Sequence, residues 1–218
     1  MIVAIAGQGD ACARTMVALN LALLRARAGR RVLLLETDPR QTASSWARQR
    51  YRDGLKPNLL NQTVLGGELG VRISQLQHGC HDMVVHTEGC DSPASRAALI
   101  AAATVVVPVG ADQVDLGRHY QLIARLNSAR MFNPRLRVLF VSTTAGADPA
   151  PAEMAAIRNF ASHVMSASLA QTILHGGAPG SLDALCVCET PERAPHAAAE
   201  MKELYREVFV VHRLAVAA

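Results

Sequence analysis

Short apolar runs rich in valine, isoleucine and leucine alternate along this chain with longer segments of helical period. The runs cover residues 2–5, 32–35, 83–85, 105–107 and 138–141. They are apolar at nearly every position, which is typical of strands buried on both faces. Helical patterns lie between and after them, at about residues 15–28, 42–51, 94–103, 114–131, 152–165 and 195–210. The alternation predicts an α/β fold with a mostly parallel sheet and helices on both faces.

Length and composition restrict the class of protein further. The chain has 218 residues, of which 50% are hydrophobic, and this favours a single domain over residues 1–218. No apolar run approaches the roughly 18 residues that span a bilayer, so we expect a cytoplasmic protein without a membrane span. The net charge of +4 is dispersed along the chain. The five cysteines have irregular spacing and are expected to be reduced thiols, with Cys186 and Cys188 on a short strand.

Three segments resemble one known family. The first strand leads into residues 6–16, AGQGDACARTM; the second ends in residues 31–41, RVLLLETDPRQ; the third lies in residues 81–92, HDMVVHTEGCDS. In these segments the chain resembles the ParA/MinD family of deviant P-loop ATPases, and most of all its small plasmid-partition members. The resemblance runs over most of the chain. It implies a P-loop NTPase-like fold, ATP or ADP with Mg²⁺ as ligands, a homodimer, a small adaptor or regulatory protein as partner, and nonspecific DNA binding.

The phosphate-binding loop departs from the family pattern. The family motif reads Lys-Gly-Gly-x-Gly-Lys-Thr-Thr, and alignment on its first threonine places at these nucleotide-binding positions Gly9, Asp10, Ala11, Cys12, Ala13, Arg14, Thr15 and Met16. Gly9 removes the signature lysine, and Asp10 brings a carboxylate to where phosphate would bind. Arg14 keeps a positive charge near the phosphates, although its planar fork differs from an ammonium group.

The metal and switch positions are retained only in part. His86 replaces the Walker B aspartate, and an imidazole contributes no negative charge to a hard cation such as Mg²⁺. Glu36 replaces the first aspartate of the segment after the second strand. By the resemblance, Asp38 is the carboxylate implicated in hydrolysis, and Thr15 with Asp38 would hold Mg²⁺. We expect low magnesium affinity and inefficient ATP hydrolysis.

Two other groups of residues are candidate sites. Relatives bind DNA through basic residues near the carboxyl terminus, which here are Lys202, Arg206 and Arg213, although glutamates interleave with them. Cys12, His86 and Cys90 would all approach the phosphate pocket in the expected fold, and thiolate and imidazole groups suit zinc.

Three functional hypotheses follow. The favoured one is a pseudo-ATPase scaffold in partition, positioning or regulation that binds nucleotide weakly or without hydrolysis. The second is an active ParA-type ATPase dimer on nonspecific DNA, which Arg14, Thr15 and Asp38 would serve. The third is a metal- or redox-responsive binding module that uses Cys12, His86 and Cys90.

Overall fold

A computed structural model describes residues 1–176 and 186–210 of the chain. In these ranges strands and helices alternate almost throughout. In chain order the elements are β1 (Ile2–Ile5), α1 (Ala11–Arg27), β2 (Val32–Glu36), α2 (Thr42–Arg52), β3 (Leu60–Thr63), α3 (Leu69–Leu76), β4 (Asp82–His86), α4 (Pro93–Ala101), β5 (Thr104–Gly110), α5 (Leu116–Phe132), β6 (Arg137–Thr144), α6 (Pro151–Ser162), β7 (Ala167–His175) and α7 (Pro195–Phe209).

The strands form one seven-stranded sheet in the order β3-β2-β4-β1-β5-β6-β7. Every neighbouring pair is parallel, so the predicted fold class is confirmed. Successive side chains of a strand point to opposite faces: Val3 and Ile5 of β1 belong to one apolar core, and Ala4 belongs to the other. Helices α1, α2 and α7 cover the first face and α3 to α6 cover the second, which explains why the central strands are apolar at nearly every position.

Some elements differ from the sequence-based expectation. The pattern missed β3, α3 and β7, because β3 reads LNQT and β7 mixes polar and apolar residues. Cys186 and Cys188 do not lie on a strand: they lie within a turn in which Glu189 N–H donates to Cys186 C=O. In the part of the chain that the structure describes, no helix is both long and apolar enough to cross a membrane.

A buried carboxylate ties the amino-terminal edge of the sheet together. Asp82 begins β4, is 1% exposed, and accepts hydrogen bonds from Arg25 Nε at 2.8 Å and Arg30 Nε at 3.0 Å. The Arg25 guanidinium also lies 4.6 Å from the centre of the Phe209 ring, which links α1 to α7. Burial opposes ionisation of Asp82, but the hydrogen bonds from Arg25 and Arg30 outweigh it and lower its pKa.

Asp82→Asn is expected to lower the free energy of unfolding by about 3–5 kcal/mol, because it leaves the buried Arg25 without its counter-charge. Since the folded-state pKa of Asp82 is lowered, its stabilisation is present above the unfolded-state pKa and is lost as pH falls through the folded value. Urea unfolding at neutral and acidic pH measures both effects. Asp53→Asn, at an exposed position on the α2 C-cap, serves as the control and should change stability little.

Candidate functional site

The candidate site lies where three adjacent strands end. Strands β2, β4 and β1 are neighbours, and their register places Glu36 beside His86 and His86 beside Ile5. The loops that follow these strands, residues 6–10, 37–41 and 87–92, therefore converge at the carboxyl edge of the sheet. This edge is where parallel α/β folds bind their ligands.

The phosphate-binding loop is shortened by its helix. Helix α1 begins at Ala11, four residues before the expected start at residue 15, so Ala11 to Met16 lie in its first turns. Alanine at positions 11 and 13, where the family motif has glycine, is the physical reason, because alanine favours the helix and glycine does not. Asp10 caps the helix: its Oδ1 accepts the Cys12 N–H at 2.7 Å. The chain's own carboxylate thus lies at the helix N-terminus, where an anion would bind.

Arg14 is turned inward. It is 4% exposed, and its Nη1 donates to Gly9 C=O at 2.9 Å. A Cβ atom added to Gly89 would lie 2.7 Å from its Nη2, so the guanidinium packs against that backbone. Its Nε atom is buried without a hydrogen-bond partner. Burial lowers the pKa of Arg14, although Asp38 and Asp10 oppose the shift. The guanidinium of Arg14 therefore stabilises the loop at the phosphate-binding position of the family.

Three buried side chains form a hydrogen-bonded chain at the centre of the site. Nδ1 of His86 lies 2.5 Å from Glu36 Oε1, and its Nε2 lies 3.3 Å from Thr15 Oγ1. All three are almost fully buried, at 0–4% exposure. The second oxygen of Glu36 accepts the backbone N–H groups of Ala43 at 2.9 Å and Ser44 at 3.2 Å, in the first turn of α2.

Donor and acceptor requirements assign the protons in this chain. Thr15 Oγ1 donates its hydrogen to Ala11 C=O at 2.9 Å, so it accepts from His86, whose Nε2 must carry hydrogen. A further proton then lies between His86 Nδ1 and the Glu36 carboxylate. The Glu36–His86 contact is therefore a hydrogen bond with one shared proton, and it offsets the burial of the Glu36 carboxyl group.

These residues do not fit Mg²⁺. Mg²⁺ is bound by oxygen atoms, usually those of one or two carboxylates together with phosphate and water, whereas the Thr15 hydroxyl and the Glu36 carboxylate are both engaged by His86. Asp38 is 8% exposed, and its Oδ1 accepts the Arg40 N–H at 2.9 Å, which closes the turn after β2. Thr15, Glu36 and one carboxylate oxygen of Asp38 are thus engaged within the protein, and we assign no catalytic step to a metal here.

The proposed zinc ligands do not form a ligand set. Both ring nitrogens of His86 are engaged, and Cys12 and Cys90 are exposed. Within residues 1–176 and 186–210, no three histidine, cysteine or acidic side chains are grouped in a way that could hold a metal ion. The metal form of the third hypothesis therefore has no structural support.

Cys186 and Cys188 pack against α1. Asn20 Oδ1 accepts the Cys188 N–H at 2.9 Å and the Cys186 thiol at 3.5 Å. Burial raises the pKa of Cys186 far above its ordinary value and that of Cys188 to about 11. Since the thiolate is the reactive form, both thiols are poor nucleophiles in the folded protein.

Alkylation by iodoacetamide at pH 8 should therefore modify the exposed Cys12 and Cys90 at least about tenfold faster than Cys186 and Cys188. Peptide mass spectrometry after timed quenching measures the four rates. In the urea-unfolded chain, the control, the four rates should become similar. Equal rates in the folded protein would contradict the burial of the second pair.

Of the expected DNA-binding residues, the structure describes Lys202 and Arg206, both on α7. Arg206 is ion-paired with Glu203 on the same helix, and Lys202 lies near it on α7. Arg213 lies outside the described residues. Two further acidic side chains of α7 hold β7: Glu207 accepts the Thr172 N–H at 2.9 Å, and Glu200 accepts the His175 N–H at 2.9 Å.

Sequence reasoning noted the replacements at positions 36 and 86 separately and missed their contact. Glu36 ends β2 and His86 ends β4, which are neighbouring strands in the sheet. The sequence signal for the contact was that both replacements occur at the ends of adjacent strands. Glu36 is a longer acid than the family's aspartate, and His86 is a base in place of an acid.

Comparison with known proteins agrees with this architecture. No family model matches the chain. The chromosome-partitioning ATPase Soj of Thermus thermophilus is 31% identical in an alignment 169 positions long, which covers 65% of this chain and 68% of the relative. A plasmid partition protein from Borrelia burgdorferi matches with a TM-score of 0.69 at 13% identity over 97% and 98% of the two chains. The ATP complex of a Cyanothece McdA variant matches with a TM-score of 0.67 at 14% identity over 94% and 95%. The structural matches establish the fold, and the sequence relationship to Soj establishes that the chain belongs to the ParA/MinD family of P-loop proteins.

Proposed function

We propose that this protein is a pseudo-ATPase of the ParA type, a scaffold in partition, positioning or regulation that binds nucleotide weakly at most and does not hydrolyse it. The observation that carries the proposal is the contact of His86 with both Glu36 and Thr15. It places the imidazole, at the family's Walker B position, against the hydroxyl of Thr15, a metal-binding position by the family resemblance, and against Glu36. The partition context is taken from the name of the Thermus relative.

The cost to catalysis follows from the nature of phosphoryl transfer. That reaction depends almost wholly on cations and hydrogen-bond donors positioned around the transferred group. Here Gly9 stands in place of the signature lysine, Arg14 is directed to the Gly9 carbonyl, and Asp10 occupies the helix N-terminus. Each lost donor of this kind typically costs about 10²–10³ in rate, so their combined loss removes useful turnover.

Under this proposal, dimerisation and the binding of partners do not depend on ATP hydrolysis. A homodimer would form without a nucleotide cycle, and a small adaptor or regulatory protein would bind the scaffold directly. Nonspecific DNA binding through α7 would be weak, since Glu203 compensates the charge of Arg206.

Equilibrium binding of a fluorescent ATP analogue, with and without Mg²⁺, tests the proposal. We expect a dissociation constant weaker than about 100 μM that Mg²⁺ does not change, and no phosphate release above background. The Thermus relative, measured in parallel, is the positive control for the assay. Micromolar binding that depends on Mg²⁺ would overturn the proposal and would favour an active ATPase.

A further inference from the structure

A groove of about 480 Å³ lies between α2 and one edge of the sheet, the edge opposite β7. The groove is lined by Arg48, Tyr51, Arg52, Asn58, Leu59, Leu60 and Asn61. Strand β3 forms one wall and is the last strand in the sheet order, paired with β2 on one side. Among the described strands, its other side has no partner.

The backbone of β3 presents free hydrogen-bonding groups to this groove. Val64 N–H donates to Glu36 C=O at 2.9 Å. Backbone groups alternate in direction along a strand, so the N–H and C=O groups of Gln62 and Leu60 also face β2. The backbone amide and carbonyl groups of Asn61 and Thr63 therefore point away from the sheet. An open strand edge of this kind is a template for a further strand.

The helix wall of the groove supplies two arginines that lack acidic partners. Arg48 and Arg52 are exposed and four residues apart, so they lie on one side of α2. Their side-chain hydrogen bonds go to neutral groups, Ser45 Oγ at 3.1 Å and Gln49 Oε1 at 2.7 Å. Neither forms an ion pair with any acidic side chain in the described ranges. Guanidinium groups of this kind are suited to bidentate contacts with carboxylates.

Exposed apolar surface completes the groove. Tyr51 is 64% exposed and Leu60 is 49% exposed, one on each wall. An added strand presents alternate side chains to opposite faces, so one set would meet α2 and its arginines and the other would meet Leu60. We propose that this groove binds an extended segment of a partner protein, which pairs with β3 as an additional strand and carries alternating acidic and apolar side chains.

Two other occupants match the groove less well. A second copy of this chain, adding β3 to β3, would bring Arg48 and Arg52 towards the same residues of its partner, and like charges repel. A nucleic-acid strand would neutralise the two arginines but has no backbone that matches the free amide and carbonyl groups of Asn61 and Thr63. The peptide satisfies both features together.

Fluorescence anisotropy with a labelled peptide of alternating glutamate and valine, about six residues long, tests the proposal on the full chain. We expect saturable binding that weakens as salt is raised from about 0.05 to 0.5 M. A matched peptide of alternating lysine and valine should not bind. Absence of binding, equal binding of both peptides, or displacement of the acidic peptide by a short oligothymidylate at equal concentration would each overturn the proposal.

Variants assign the binding to this groove. Arg48→Gln combined with Arg52→Gln should weaken binding at least about tenfold, because it removes two charge-assisted contacts. Arg158→Gln, at an exposed arginine of α6, is the matched control and should bind like the parent. Unchanged affinity in the double variant would overturn the assignment.

Backbone pairing has its own test. Asn61→Pro removes an amide that faces away from β2, so the β2–β3 pairing should remain while peptide affinity falls at least about tenfold. Circular dichroism verifies the fold of the variant. Hydrogen exchange provides a readout without mutation: the amides of Asn61 and Thr63 in the parent should exchange at least about tenfold more slowly when the acidic peptide is bound. Unchanged exchange at saturating peptide would contradict strand addition.

Discussion

His86→Ala is expected to lower the free energy of unfolding by about 3–5 kcal/mol, because it leaves the fully buried Glu36 carboxylate without the group that compensates its charge. The Thr15 hydroxyl loses its hydrogen-bond donor in the same variant. Urea unfolding followed by circular dichroism measures the change. His163→Ala, at an exposed position after α6, is the matched control and should lie within about 0.5 kcal/mol of the parent.

A double-mutant cycle separates the ion pair from its surroundings. Glu36→Gln should also destabilise the protein, since Glu36 accepts two N–H groups in the first turn of α2 as well as the His86 contact. Combining His86→Ala with Glu36→Gln should cost less than the sum of the single variants, by about 1–3 kcal/mol. Additive effects would mean that the two side chains do not interact, and would remove the main support for a metal-free site.

Restoration of the family motif is expected to increase affinity for ATP with Mg²⁺ by at least about 100-fold, which is about 2.7 kcal/mol. The glycines would free the loop from the helix, the two lysines would contact phosphate, and the aspartates would leave oxygen ligands for the metal. The restored chain carries Gly9→Lys, Asp10→Gly, Ala11→Gly, Ala13→Gly, Arg14→Lys, Glu36→Asp and His86→Asp.

One steric conflict accompanies this restoration. A Cβ atom at Gly9 would lie 2.1 Å from Gln113 Oε1, which is the end of a flexible side chain and can move. Isothermal titration with ATP, with and without Mg²⁺, measures the gain. The control is the same variant with His86 retained, which should bind nucleotide without a magnesium effect. If the parent already binds as tightly as the restored chain, the native site is not degenerate in the manner described.

The central strands were predictable from the sequence because strands buried on both faces are continuous apolar runs. Strands β1, β2, β4, β5 and β6 lie between two layers of helices, so their apolar runs are continuous and easy to recognise. Strand β3 was missed for the opposite reason: it lies at the edge of the sheet and is partly exposed, so its polar sequence resembles a loop. The predicted extent of the domain, residues 1–218, stays a prediction.

Within the site, the sequence indicated which residues were replaced but not what the replacements do. Arg14 was expected near the phosphates, whereas it is directed to the Gly9 carbonyl and packs against Gly89. The reason is that a long side chain takes its direction from the space left by three converging loops. That space depends on tertiary packing, which local pattern cannot supply.

The sequence by itself determined the family, the parallel α/β sheet and the replacement of the family's lysine and aspartate residues, because these depend on residue types at fixed spacing along the chain. Only the tertiary structure decided that helix α1 extends to Ala11 and that His86 joins Glu36 to Thr15. Those three side chains are far apart in sequence. They meet because β2, β4 and β1 are neighbours in the sheet, and burial then requires each of their polar groups to find a hydrogen-bond partner, in one another or in the nearby backbone.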